Sequence, residues 1–161
     1  MEDFIIRLIG PNDNAAVAAV IRAVLVAHNV PKVGTAYADP QLDYMFETYN
    51  EPRSAYFVVE TDGKIVGGAG VSQLQNESDS ICELQKMYFL PEARGLGLGT
   101  AMMHKCLSAA KRFGYQKCYL ETMTYMEAAQ KLYKKSGFDY ICAPMGNTGH
   151  NACPVWMIKE L

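Results

Sequence analysis

No apolar run in the sequence reaches about 18 residues, the length that spans a bilayer. The longest apolar tract, Ala15 to Ala27, is broken by Arg22. Positive charge is not in excess: 15 Lys and Arg stand against 17 Asp and Glu, a formal charge of −2. The basic stripe of a nucleic-acid binder is therefore missing. There is no C-x-x-C pair, so neither a zinc site nor a thioredoxin motif is indicated. Five cysteines, at 82, 106, 118, 142 and 153, make an odd count. They are expected as reduced, buried thiols of a cytoplasmic protein. No repeat, low-complexity tract or Pro/Ser-rich linker divides the 161 residues, and one domain over 1–161 is expected. The first residues, Met-Glu-Asp-Phe-Ile-Ile-Arg, place no basic segment before an apolar stretch, so no signal peptide is expected. What is present is globular composition: 50% hydrophobic and 20% charged residues, enough to build one core.

Periodicity supplies the elements. Phe4 to Ile9 reads as a strand, and Gly10-Pro11-Asn12-Asp13 as a turn leading to a helix N-cap. Ala15 to His28 carries Val17, Val20, Ile21, Val24 and Leu25 at helical spacing, and Pro40 to Tyr49 reads as a second short helix. Ala55 to Glu60 and Lys64 to Leu74 are strands joined at Asp62-Gly63, where both residues tolerate positive φ. Ile81 to Leu90 is a strand. A glycine-rich segment and a helix to about Phe113 follow. Tyr115 to Glu121 is a strand, Tyr125 to Ser136 a helix ended by Gly137, and Phe138 to Cys142 and Val155 to Ile158 the last strands. The order is β-α-α-β-β-β-α-β-α-β-β. It implies an α/β (α+β) domain with a mixed sheet and helices on both faces, not a Rossmann alternation.

Arg94-Gly95-Leu96-Gly97-Leu98-Gly99-Thr100 lies between a strand and an amphipathic helix. Glycines let backbone N–H groups converge, and the helix adds its positive end, which suits a phosphate or pyrophosphate. No Lys-Ser or Lys-Thr follows, so this is no P-loop, and Met102 stands where a dinucleotide fingerprint needs its third glycine. Arg94, Gly97 and Gly99 fit a [Q/R]-x-x-G-x-[G/A] pattern. An ordinary strand-to-helix turn is the alternative.

The run from Glu83 to Gly99 resembles the central acetyl-CoA motif of the GNAT superfamily of N-acetyltransferases. Ala129-Gln130-Lys131-Leu132-Tyr133-Lys134-Lys135-Ser136-Gly137-Phe138 is similar to that family's A-x-x-L-Y-x-x-x-G-F signature. The element order is also that of the GNAT fold, so the resemblance spans nearly the whole chain. It implies a mostly antiparallel central sheet of about seven strands and acetyl-CoA as co-substrate, with no metal. Pantetheine would lie beside the backbone of Met87, Tyr88 and Phe89, and the pyrophosphate on the amides of Arg94, Gly95, Leu96, Gly97, Leu98, Gly99 and Thr100. Met87 N–H would face the thioester carbonyl. Tyr133 would touch the cofactor and protonate the departing thiolate. A phenol, with an ordinary pKa of about 10, keeps that proton at neutral pH. A core tyrosine is the alternative. Glu83 matches the position of a base, and a solvated or ion-paired edge residue is the alternative. By alternation, Ile81, Glu83, Gln85 and Met87 share one strand face. One departure stands out: many members carry Asn where this sequence has Met126.

In the resembled fold, the helices after the first strand wall the acceptor site. Tyr37, Asp39, Asp43, Tyr44, Glu47 and Tyr49 lie there. Acidic and aromatic residues together suit a protonated amine, and a solvated face is the alternative. Glu121, Thr122, Tyr125 and His150 are further substrate candidates, while His28 and His104 read as structural. The implied activity is direct acetyl transfer in a ternary complex to a primary amine of a small molecule or amino acid. The alternatives are a protein or peptide N-acetyltransferase and a non-catalytic acyl-CoA sensor. No nucleic acid or membrane partner is implied, and dimerisation through the sheet edge is common in the family but fixed by no feature here.

Overall fold

The computed structural model describes residues 3–161. Its elements are β1 (Ile5–Leu8), α1 (Asn14–Ala27), α2 (Met45–Tyr49), β2 (Ala55–Thr61), β3 (Lys64–Gln73), β4 (Ile81–Phe89), α3 (Leu98–Arg112), β5 (Lys117–Thr122), α4 (Glu127–Lys135), β6 (Asp139–Ile141) and β7 (Val155–Glu160). The order is the one the periodicity predicts. The strands form one sheet in the order β1-β2-β3-β4-β5-β7-β6. Among the described residues only β4 and β5 run parallel; every other neighbouring pair is antiparallel. The β2–β3 hairpin turns on Asp62 and Gly63, both with positive φ (49° and 73°), as a tight hairpin of this twist requires. The expected helix over 40–49 is instead a 3-10 turn, Pro40–Tyr44, followed by the single turn of α2.

Helices cover both faces. On one, Val17, Val20, Ile21 and Leu25 of α1 pack with Tyr56, Val58 and Ile65 of the sheet. On the other, Met102, Met103, Cys106, Ala109 and Ala110 of α3 pack on Phe57, Val59, Ala69, Leu84 and Leu120. Each large apolar side chain so buried contributes about 1.5–3 kcal/mol of transfer free energy. Cys82, Cys106 and Cys118 are buried thiols, as expected. Cys142 and Cys153 are not: the first is exposed and the second half-buried. Both lie outside the strands, in the connection between β6 and β7.

One residue corrects the alternation. Lys86 has a φ of 51°, and the β3–β4 register shifts by one residue between Gly68 and Gly70. This is a β-bulge: one extra residue in β4 reverses the inward and outward sense of everything after it. Met87 and Phe89 therefore pack with the α3 cluster and Tyr88 with the α1 cluster. Met87 does not share a face with Glu83, because the bulge lies between them.

Candidate active site

The sheet opens at its parallel seam. β4 and β5 pair over three positions only, Ile81 with Lys117, Cys82 with Cys118, and Glu83 with Tyr119. Beyond them the strands part, and the bulge at Lys86 lies on the parted stretch. Tyr56 holds it there, donating from its hydroxyl to the Lys86 carbonyl at 2.8 Å. The ring of Tyr56 reaches that carbonyl across Gly68 and Gly70. A Cβ on either glycine would stand 2.6 Å from a ring carbon.

On one side of the opening is a groove of about 400 Å³. Its floor is Met87, Tyr88 and Phe89 of β4, one wall is Leu132 and Tyr133 of α4, and its end is the turn from Arg94 to Gly99. Gly95 and Gly97 take φ of 74° and 78°, and Gly97 caps α3. In that conformation successive amides and the helix end face one concavity, a setting for an anion. A Cβ on either glycine would meet nothing within 4 Å, so the concavity is open. Arg94 is pinned by Nε to the Phe89 carbonyl at 3.0 Å, which leaves the rest of its guanidinium to a ligand. An apolar trough ending in backbone donors and a cation fits a pantetheine arm and its pyrophosphate.

On the other side is a small cavity of about 60 Å³, and its walls carry charge. Glu83 is only 5% exposed. Burial pushes its carboxyl up to about 7, against a lowering hydrogen bond from Gln85 Nε2 at 2.6 Å. The Tyr49 hydroxyl donates in turn to Gln85 Oε1. Glu121 accepts hydrogen bonds from Tyr119 at 2.7 Å and from the Thr148 hydroxyl. Lys86, with its side chain 3% exposed, sets its ammonium 3.3 Å from Asp39, and Asp39 also pairs with His150 Nε2 at 2.8 Å. Burial raises the Asp39 carboxyl, but the His150 bond and the Lys86 charge outweigh it and hold it below its ordinary value. Glu83, Glu121 and His150 each bring one ligand atom within 4.8 Å of the others. Their composition is compatible with a cation, yet each already serves a hydrogen bond within the protein.

Tyr133 stands between the two sides, lining both. It is 7% exposed, and burial alone pushes its phenol up to about 12.

Of the residues singled out from sequence, the opening gathers Glu83, Met87, Tyr88, Phe89, Arg94, Gly95, Gly97, Leu98, Gly99, Glu121, Thr122, Tyr133 and His150. Tyr125 lines the groove, not the small cavity. The side chain of Leu96 is exposed, and Thr100 lines a separate depression between α3 and α4. The proposed acceptor wall does not converge. Tyr44 is exposed, Tyr37 packs under Lys32, Asp43 pairs with Arg22, and Glu47 accepts from Asn14. The split of the expected helix into two short turns leaves Asp43, Tyr44 and Glu47 outward, while Tyr37 packs against the α1 cluster; Asp39 alone reaches the cavity's charged network, with Tyr49 acting through Gln85. His28, read as structural, lines the groove. Lys86, Gln85 and Cys153 line the cavity without having been singled out for it. Their only sequence signal is proximity to Glu83 or His150.

Residues 22–138 match the model of the Acetyltransferase (GNAT) family. The uncharacterized N-acetyltransferase YjgM of Escherichia coli (strain K12) is 41% identical over 98% of this chain and 95% of its own. The uncharacterized N-acetyltransferase Rv2669 of Mycobacterium tuberculosis (strain ATCC 25618 / H37Rv) is 37% identical over 57% of each chain. In structure, a GNAT-family acetyltransferase of Staphylococcus aureus Mu50 superposes with a TM-score of 0.87 over 99% of both chains, at 20% identity. That last likeness speaks for the fold.

Proposed function

This chain belongs to the acetyltransferase (GNAT) family, and from that membership we propose that it moves an acetyl group from acetyl-CoA to a primary amine of a small molecule or amino acid, by direct attack with both substrates bound. The observation that carries the proposal is the opening between β4 and β5, with an apolar groove and an anion cradle on one side, a buried carboxylate on the other, and Tyr133 between.

Acetyl-CoA supplies an acyl carbon activated as a thioester. The amides of the Arg94–Thr100 turn and the guanidinium of Arg94 hold the pyrophosphate, and the backbone of Met87 and Phe89 aligns the pantetheine arm. Met87 N–H faces the carbonyl oxygen and stabilises the charge that gathers there. Glu83 takes a proton from the incoming amine; held at about 7, its carboxyl is partly ionised at neutral pH and a stronger base than an ordinary glutamate. Tyr133 keeps its proton at neutral pH and gives it to the departing sulfur. Glu121 and the Asp39–His150 pair frame the amine. The whole chain works as one acetyltransferase domain, and three buried free thiols suit a reducing, cytoplasmic setting.

The test is thiol release from acetyl-CoA against amino acids, polyamines, aminoglycosides and peptides, run beside Tyr133→Phe. Release with one class of acceptor, largely lost in Tyr133→Phe, supports the proposal. No calorimetric binding of acetyl-CoA overturns it.

A further inference from the structure

Met126 is where the two sides of the opening touch. It is one of five residues, with Met87, Tyr88, Ala129 and Tyr133, that line both the groove and the cavity. Its backbone is fixed: it is the N-cap residue of α4, its N–H donates to Met123 at 3.1 Å, and its carbonyl accepts from Gln130 at 3.1 Å. Its sulfur accepts the Thr122 hydroxyl at 3.6 Å. Its side chain packs against the apolar cluster of α1, although its backbone belongs to the β5–α4 side. It thus bridges the parted halves of the sheet at the point where the acyl end of acetyl-CoA would lie.

The space beyond it is about 60 Å³, on the order of a few water molecules. The tip of the acyl chain and the attacking amine must share that space. A longer chain has two ways to turn. Towards Glu83, Glu121 and His150 it would press methylenes onto groups already hydrogen-bonded in a confined site, stripping water from carboxylates. The apolar way would meet Met126, which lines the groove and the cavity both.

We propose that Met126 sets the acyl-chain limit of this enzyme, admitting acetyl and rejecting chains two carbons longer. The inference rests on the acetyl-CoA reading above and deepens it. Thioether side chains are adaptable, but this one is held at its sulfur and packed against the α1 cluster. A pocket wall of this kind discriminates by about 10-fold or more for a misplaced methylene.

The test is calorimetry of the full chain with CoA, acetyl-CoA, propionyl-CoA and butyryl-CoA, which needs no acceptor. In the parent, butyryl-CoA should bind at least about 10-fold more weakly than acetyl-CoA, with propionyl-CoA between. In Met126→Ala that ratio should fall to about 3 or less, while Met126→Leu, similar in volume, keeps it. Thermal melts check that each variant folds, and Met126→Val serves if Met126→Ala does not. Equal binding of all three acyl-CoAs to the parent overturns the limit while leaving the acetyl-CoA reading intact. A ratio that persists in both Met126→Ala and Met126→Val overturns the role of Met126. No binding of CoA itself to the parent overturns the acetyl-CoA reading and this inference with it.

Discussion

The two sides of the β4–β5 opening are built by different means. The floor and the anion end of the groove are backbone, strand edge, glycine turn and helix end, all from residues 87 to 99, with α1 and residues 125 to 133 as walls. The cavity is made of side chains drawn from far apart, with Asp39 and His150 separated by 111 positions and Thr148 and Glu121 by 27. A backbone site takes one ligand of fixed shape and tolerates changes in side chain. A side-chain site owes its shape to charges that must be paired, and it changes whenever one of them does. The groove is thus the generic half of this molecule and the cavity the particular one.

The variant expected to widen that contrast most is Lys86→Met. It removes the buried cation from Asp39 and leaves that carboxylate with only His150. Breaking a buried pair from one side costs about 3–5 kcal/mol. For a chain of this size that lowers the melting temperature by roughly 10 °C. The double variant Lys86→Met/Asp39→Asn should lose less than the sum of the two singles, because no charge is then stranded. Additive losses would mean that the pair is not an energetic unit.

Tyr133→Phe probes the boundary. If the phenol serves as proposed, turnover falls by about 100-fold or more while acetyl-CoA affinity holds within a few-fold. A matching loss of affinity would place Tyr133 in the groove alone.

Glu83→Gln separates the sides by pH. Glu83 is raised from 4.5 to about 7, chiefly by burial, so the folded state binds its proton more tightly than the unfolded one. Its contribution to stability is therefore full below about pH 4.5 and lost as pH rises to about 7. Catalysis runs the other way: the proposed base gains activity as it ionises through that same range. Glu83→Gln should remove both trends, leaving a flatter melting profile and no rate inflection near pH 7. A rate profile that keeps its inflection would assign the base to another group.

The sequence carried these halves unequally. The floor and anion end of the groove were legible because their parts are contiguous: a strand ended by Pro91, glycines at 95, 97 and 99, and a helix after them. The element order followed from hydrophobic period and turn residues alone. The cavity was legible only in part: Glu83, Glu121, Thr122 and His150 stood out, but the network that joins them did not, for two reasons. The bulge depends on one lysine taking φ of 51°, and nothing in a run of alternating residues announces that Lys86 will be the extra one. Simple alternation therefore put Met87 beside Glu83, and the bulge turns it away. The acidic residues from Asp39 to Glu47 looked like one wall at helical spacing. The chain makes two short turns there, and Asp39 alone lands opposite His150. That pairing belongs to the tertiary fold and has no local cause.

Gly97→Ala is the smallest change and the sharpest for the groove. A Cβ at Gly97 meets nothing within 4 Å, so the only penalty in the free protein is a left-handed φ of 78°, about 1–2 kcal/mol for a residue with a side chain. That is a drop of roughly 2–8 °C in melting temperature. The empty space beside Gly97 is also where a phosphate must come close to the amides if the turn is an anion cradle. The same methyl group should then weaken CoA by more than it weakens the fold, about 10-fold or more, and spare a CoA fragment that lacks the pyrophosphate. Equal small losses in fold and affinity would make the turn a connection between strand and helix, and the comparison between a backbone site and a side-chain site would lose its first half.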